Sequence, residues 1–221
     1  MNLRFKVATE LGIIATLTVL FLIAFPRRSP IVDVALAGVA LACLVFSARY
    51  TKKVVWAATA VPHTAGRLRS ELKWVFWLSV PAAFLFLGIG AMLAYRNGGW
   101  SSYTERIINW RILVVFGCYF LWALIQQTLF QFYLLGRLLA LFPRTRPIIA
   151  ITITGIGISL VHLPDIYTAL ACLFAGCAWA FIYYRYRLLV PIAVSHALLG
   201  TTFYYGLFGQ DLASEWRALV S

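Results

Sequence analysis

Long runs of apolar residues limit what this chain can fold into more than any other feature. Because the hydrocarbon core of a bilayer is about 30 Å thick, a helix needs about 20 mostly apolar residues to cross it. The sequence contains seven such runs, at Val7–Phe25, Ile31–Ala48, Trp74–Tyr95, Ile112–Leu141, Ile148–Leu163, Tyr167–Tyr184 and Leu188–Phe208. They predict an all-α fold, a polytopic transmembrane helical bundle of about seven spans.

Composition supports a single integral membrane domain. Of the 221 residues, 62% are hydrophobic and 12% are charged, whereas a soluble domain has about 25% charged residues. This excludes an ordinary water-soluble globule. Within the domain we expect N-terminal spans over residues 1–106, with a basic cytoplasmic loop at 49–73, and a core over residues 107–210.

The charged side chains are distributed unequally between the two predicted sides. The chain has 19 Lys and Arg against 7 Asp and Glu, a formal charge of +12. Assigning the connections alternately places +11 on the N-terminal side, where Glu10 and Glu71 are counted, and +1 on the other. Since cytoplasmic loops carry the excess of Lys and Arg, we expect a multi-pass inner-membrane protein with a cytoplasmic N-terminus. The lipid bilayer is then its first partner, and nothing in the sequence indicates nucleic acid.

Several polar side chains fall inside or beside the last four predicted spans. They are Gln126, Gln127, Gln131, His162, Asp165 and His196. Residues 127 and 131 share a helix face, and residue 126 lies about 100° away, so the glutamines predict a polar wedge that faces the bundle. Such residues mark functional sites by default, but glutamines also form interhelical hydrogen bonds that only stabilise a bundle. Both interpretations stay open at this point.

The two histidines are suited to a metal site, because neutral imidazole is a common metal ligand. His162 and His196 lie on different spans, which can meet in a bundle. A hydrolytic zinc site has three protein ligands and an open position. A glutamine oxygen or the Asp165 carboxylate would have to complete it, and of these only the carboxylate can also accept a proton.

Three short motifs in the C-terminal half resemble those of the CAAX prenyl protease and bacteriocin-processing family of intramembrane metalloproteases, also called CPBP or Abi. The family carries Glu-Glu-x-x-x-Arg, Phe-x-x-x-His and His-x-x-x-Asn on successive helices. The corresponding segments are 126–131 (Gln-Gln-Thr-Leu-Phe-Gln), 158–162 (Ile-Ser-Leu-Val-His) and 196–200 (His-Ala-Leu-Leu-Gly). Their order and spacing are similar to the family's over roughly Trp110 to Phe208.

The resemblance implies an all-helical core that hydrolyses a peptide bond near the membrane surface with a divalent metal such as zinc. The positions that correspond to catalytic residues are Gln126, Gln127, His162 and His196, with both histidines as implied metal ligands and Gln131, Asp165 and Gly200 as auxiliary positions. This chain departs from the family where charge is needed, because glutamine replaces both glutamates and the arginine. An amide cannot act as a general base.

These departures lead to three functional hypotheses. The first is a non-catalytic or atypical member, a pseudoenzyme, which holds no metal and binds a peptide or protein in the membrane; burying amides costs less than burying charges. The second is an active metal-dependent endopeptidase, a hydrolase rearranged around His162, His196 and Asp165. The third is a small-solute transporter, although the sequence shows no intramembrane carboxylate and no internal repeat of the kind that transporters have.

Overall fold

A computed structural model describes residues 3–24, 34–42, 45, 65–142 and 146–217. Positions 49–64 of the predicted basic loop lie outside these residues, and so do positions 31–33, 43–44 and 46–48 of the second predicted span. All regular structure in the described residues is helical, with no strand among them, which confirms the all-α prediction.

Apart from a further helical stretch, the described residues form nine α-helices and two π-helical segments. The α-helices are α1 (Leu3–Ala24), α2 (Ala65–Arg96), α3 (Trp100–Ile108), α4 (Arg111–Gln127), α5 (Leu135–Leu141), α6 (Pro147–Leu160), α7 (Ile166–Tyr186), α8 (Leu189–Gly200) and α9 (Leu212–Arg217). Segment π1 (Thr128–Leu134) joins α4 to α5, and π2 (Thr201–Phe208) continues α8. Residues 34–42 are also helical.

Three helical segments among the described residues are long and apolar enough to cross a membrane. They are Gly66–Arg96, Arg111–Leu141 and Ile166–Tyr186, and α6 is an apolar helix of shorter length. Helix α2 begins at Ala65 rather than at Trp74, so the last part of the connection predicted at 49–73 is helical. Its residues include Leu, Arg, Glu and Lys, which are strong helix formers. The full number of seven crossings stays a prediction.

The chain divides into two compact units. Unit 1 comprises Met1–Thr64 and Gln126–Leu189, and unit 2 comprises Ala65–Ile125 and Val190–Ser221. In unit 1, α6 and α7 form an antiparallel hairpin that depends on glycine. A Cβ on Gly155 would lie 2.3 Å from Cys177 Sγ and 3.0 Å from the Cys177 backbone nitrogen. Small residues let membrane helices approach this closely and gain van der Waals contact.

The second contact that positions the site in unit 1 is the crossing of π1 and α6. A Cβ on Gly157 would lie 3.3 Å from Leu134 Cδ2 and 3.6 Å from Phe130 Cε1. Glycine therefore leaves just enough room for these two side chains to pack over the α6 backbone.

In unit 2, α2 packs in parallel against α8 and π2. The Oγ atoms of Ser79 and Ser195 are 2.6 Å apart and buried. Further along the same pair, the rings of Phe86 and Phe203 meet edge to face with centroids 5.1 Å apart. A Cβ on Gly90 would lie 2.8 Å from the Gly206 carbonyl oxygen, so this helix pair also depends on small residues for its close approach.

Helix α3 and the chain after π2 close the other end of unit 2. The Tyr103 hydroxyl donates to the Leu87 carbonyl at 2.7 Å. Arg106 donates to the Gly206 carbonyl at 3.3 Å, where π2 leaves carbonyls without helical partners. Arg111 forms an ion pair with Asp211 at 2.5 Å. These contacts join residues that the alternating topology assigns to one side.

Candidate functional site

The residues of the first two motifs lie together in unit 1, and those of the third motif lie in unit 2. Unit 1 contains Gln126, Gln127, Gln131, His162 and Asp165. Unit 2 contains His196 and Gly200. The predicted pairing of His162 with His196 therefore stays a prediction, and the geometry of each unit is described by itself.

The glutamines of the first motif point into the protein. Gln127 is 1% exposed and Gln131 is 0% exposed, while Gln126 is half-buried. Gln127 and Gln131 therefore face inward, as the predicted polar wedge requires. Gln131 lies within π1, and neither its amide nitrogen nor its amide oxygen has a hydrogen-bond partner in the described residues. A buried amide without a hydrogen-bond partner lowers the free energy of unfolding by about 1–3 kcal/mol.

The contact between π1 and α6 lies close in sequence to Gln127 and His162. Phe130, three residues after Gln127, packs over Gly157, which is five residues before His162. The residues of the first two motifs therefore belong to two contacting segments of unit 1 and to the turn that follows α6.

A main-chain hydrogen bond orients the ring of His162. Its Nδ1 lies 2.7 Å from the Ile158 carbonyl oxygen. A carbonyl can only accept, so Nδ1 carries the proton in this bond, and a neutral ring then has its lone pair on Nε2. This is the arrangement by which proteins orient a histidine for metal binding or proton transfer.

Asp165 begins α7 as its N-cap residue. Its Oδ1 accepts from the Thr168 backbone N–H at 3.1 Å, and its Oδ2 accepts from the Thr168 hydroxyl. Burial opposes ionisation of this carboxyl, but the bonds from Thr168, a backbone bond from Tyr167 and the nearby His162 outweigh it and lower its pKa. Asp165 is exposed, and both carboxylate oxygens are engaged in capping.

In unit 2, glycine at the last position of the third motif makes room for an aromatic ring. A Cβ on Gly200 would lie 2.9 Å from Tyr119 Cδ1, and the Tyr119 ring stacks on Tyr204 with centroids 6.0 Å apart. His196 is half-buried. Its neighbour Ala197 belongs to the apolar core that α4 and α8 share. A polar side chain at position 200 would displace the tyrosine.

Unit 1 contains a buried ion pair that the sequence motifs do not predict. Arg137 is 1% exposed. Its Nε lies 3.2 Å from a Glu10 carboxylate oxygen, and Glu10 also accepts a hydrogen bond from the Tyr133 hydroxyl. The signal was present, since Glu10 falls inside the predicted span Val7–Phe25 and a charge there needs a partner. The alternating topology counts both charges on the N-terminal side and predicts no pairing between them.

Glu71 corrects a second expectation. It is 0% exposed, and neither carboxylate oxygen has a hydrogen-bond partner in the described residues. It lies in the segment Gly66–Arg96, which is long and apolar enough to cross a membrane. The structure therefore has Glu71 buried on helix α2, where the sequence predicted a solvated loop at 49–73.

The described residues do not assemble the ligands of a hydrolytic metal site. No group of three or more His, Cys, Asp and Glu side chains among them is arranged to hold a metal ion. A hydrolytic zinc site has three such ligands. The set His162, His196 and Asp165 therefore stays a prediction, and no reaction step is assigned to a metal.

Comparison with known proteins supports the resemblance seen in the motifs. Residues 108–202 match the family described as type II CAAX prenyl endopeptidase Rce1-like. No curated protein and no solved structure matches the chain. The matched segment contains all three motifs, from Gln126 to Gly200. Residues 108–202 of this helical membrane protein therefore belong to the CAAX prenyl protease family.

Proposed function

We propose that this protein is an atypical member of the CAAX prenyl protease family that binds a peptide segment of a membrane protein without cleaving it. One observation carries the proposal: amides occupy the positions of both glutamates, and Gln127 is buried with its side chain inside unit 1. An amide hydrogen-bonds like a peptide group but cannot take a proton from water. The Asp165 carboxylate, which could accept a proton, caps α7.

The family description suggests which peptide to test first. A CAAX sequence is a C-terminal Cys followed by two aliphatic residues and a variable residue, and its cysteine is prenylated. A prenyl chain would hold such a peptide at the bilayer surface. We place the protein in the inner membrane with its N-terminus cytoplasmic.

Binding and cleavage of one probe test this proposal. The probe is a fluorescent, farnesylated peptide that ends in Cys-aliphatic-aliphatic-Ser, added to the full-length protein in vesicles. We expect saturable binding, an intact peptide by mass spectrometry, and about tenfold weaker binding by Gln127→Leu, the loss expected for one hydrogen bond. Gln210→Leu, the same change at an exposed glutamine, is the control. Cleavage that is lost in Gln127→Ala or His196→Ala would refute the proposal.

A second candidate function is an active endopeptidase that depends on a divalent metal. The orientation of His162, with Nδ1 bonded to the Ile158 carbonyl, is the observation in its favour. Stoichiometric zinc in the purified protein, together with cleavage that His162→Ala abolishes, would establish this function. Metal-free protein that leaves the peptide intact after zinc is added would exclude it.

A further inference from the structure

Gln131 is a polar side chain inside the protein whose hydrogen-bonding capacity is unused. It is 0% exposed, and its amide nitrogen and oxygen both lack a hydrogen-bond partner in the part of the chain that the structure describes. Buried amides in native proteins are almost always hydrogen-bonded to protein or ordered water. The exceptions therefore need a physical explanation.

The backbone around Gln131 is also unusual. Gln131 lies in the middle of π1, a seven-residue π-helix. The π form is rare, occurs mostly as single-turn interruptions of α-helices, and is frequent at functional sites. Because each π turn takes up an extra residue, it changes which side chains face inward. Here Gln131 and Tyr133 are the buried residues of π1.

Gln131 is the last residue of the first motif, and its neighbours contact α6, the helix on which the second motif begins. Phe130 and Leu134, on either side of it, pack over Gly157 on α6. Gln127, one turn earlier, is also buried. The amide therefore belongs to the same inward-facing side of the helix as the proposed peptide-binding residue.

The chemistry of a primary amide selects a ligand class. It offers one acceptor oxygen and N–H donors in one plane, and a peptide group offers one carbonyl acceptor and one N–H donor. In a helical segment the backbone N–H and carbonyl groups hydrogen-bond to one another. In an unwound segment within the membrane they need hydrogen bonds from a partner. A carboxylate ligand would satisfy only the donors of Gln131 and leave its oxygen unpaired.

From these observations we infer that Gln131 binds a main-chain peptide group of a partner segment that is non-helical where it enters the protein. The inference rests on the proposed function and makes it more specific. Gln131 then recognises the backbone and not a side chain. Binding should tolerate changes of sequence in the partner and depend on one particular peptide N–H or carbonyl.

Ester substitution in the farnesylated peptide tests the inference. In a series of analogues, each backbone N–H in turn is replaced by an ester oxygen, and binding is measured with full-length wild type and Gln131→Leu in vesicles. We expect one ester to weaken binding to wild type about tenfold, as the loss of one hydrogen bond does, and to have no effect on Gln131→Leu. Equal effects on both proteins would overturn the inference and leave the proposed function standing. A probe that does not bind wild type at all would overturn the proposed function.

Thermal unfolding provides a second readout. Because Gln131→Leu removes an amide without a partner, we expect its Tm to equal or exceed that of wild type, by up to about 4 °C. Gln131→Met serves in the same way if the leucine variant does not fold, and Gln210→Leu is the matched control. A clearly lower Tm in both Gln131 variants would mean that a buried water or another internal group already satisfies the amide, which would overturn the inference.

Discussion

Arg137 carries a charge that a distant part of the sequence neutralises. It is almost completely buried, with Glu10 on α1 as its ion-pair partner and the Tyr133 ring 5.2 Å from its guanidinium carbon. Removing one member of a buried pair leaves the other charge uncompensated, which costs more than the pair itself contributes. The pair therefore connects α1 to the helix that carries the first motif.

We predict that Glu10→Gln lowers the stability of the protein in detergent by about 2–4 kcal/mol, because Arg137 then lacks a counter-charge. The double variant Glu10→Gln/Arg137→Met should recover part of this loss. Thermal unfolding followed by circular dichroism measures both. Arg111→Met is the comparison, since Arg111 is 44% exposed in its pair with Asp211 and should cost less than about 1 kcal/mol. Equal losses at both pairs would contradict the prediction.

Asp165 supports a prediction about pH. Its pKa is lowered in the folded protein, so its stabilising effect is present above the unfolded pKa and is lost as the pH falls through the folded value. We expect the Tm to decrease as the pH falls below about 4. The share of this decrease that comes from protonation of Asp165 should be absent in Asp165→Asn, whose amide oxygen still caps α7.

The same variant separates capping from a role in catalysis. If Asp165 only caps α7, Asp165→Asn should bind the farnesylated peptide as wild type does. Asp165→Ala, which removes the cap, should cost about 1 kcal/mol at neutral pH. A loss of binding or of metal in Asp165→Asn without a change in Tm would contradict this and favour the rearranged hydrolase.

At the scale of helices, the close approach of α6 and α7 depends on glycine. We predict that Gly155→Ala destabilises unit 1 and that Cys177→Ala restores only part of the loss, because the new Cβ also meets the Cys177 nitrogen at 3.0 Å and the Leu173 carbonyl oxygen at 3.2 Å. Gly117→Ala is the control, since nothing lies within 4 Å of its Cβ position. That control should be neutral or stabilising by up to about 1 kcal/mol, and unfolding in detergent measures all three.

The helical elements themselves were largely predictable from the sequence. The predicted span Ile112–Leu141 corresponds to the continuous helix Arg111–Leu141, and Tyr167–Tyr184 corresponds to Ile166–Tyr186. The π geometry of Thr128–Leu134 was not predictable in this way. Apolar run length and local propensity are properties of neighbouring residues, whereas a π turn depends on what packs against the helix.

At the scale of the whole molecule, the distribution of basic residues predicts the orientation in the membrane. We expect a membrane-impermeant maleimide to label Asn97→Cys from outside the cell, and Arg146→Cys only after the membrane is opened, in a protein whose native cysteines are replaced. Both positions are exposed and lie outside the helices. The opposite labelling pattern would contradict a cytoplasmic N-terminus.

The burial of the motif glutamines was predictable from the sequence, but the interactions of the other candidate residues were not. Motif spacing identified Gln127, Gln131 and His162, and the burial of both glutamines followed from helix periodicity. The structure adds the bond from His162 to Ile158 and the use of Asp165 as a cap. Both interactions join residues three or four positions apart, but they depend on how α6 ends and how α7 begins.

The sequence alone determined that this chain is helical, apolar enough for a bilayer, and similar in its C-terminal half to CAAX prenyl proteases. These properties depend on composition, periodicity and the spacing of a few residues. The tertiary structure decided which polar groups are paired: Glu10 with Arg137, Ser79 with Ser195, and Gln131 with none of the described residues. Such pairs join residues far apart along the chain, so local sequence patterns do not predict them. In an apolar interior, a buried polar group destabilises the fold unless it has such a partner.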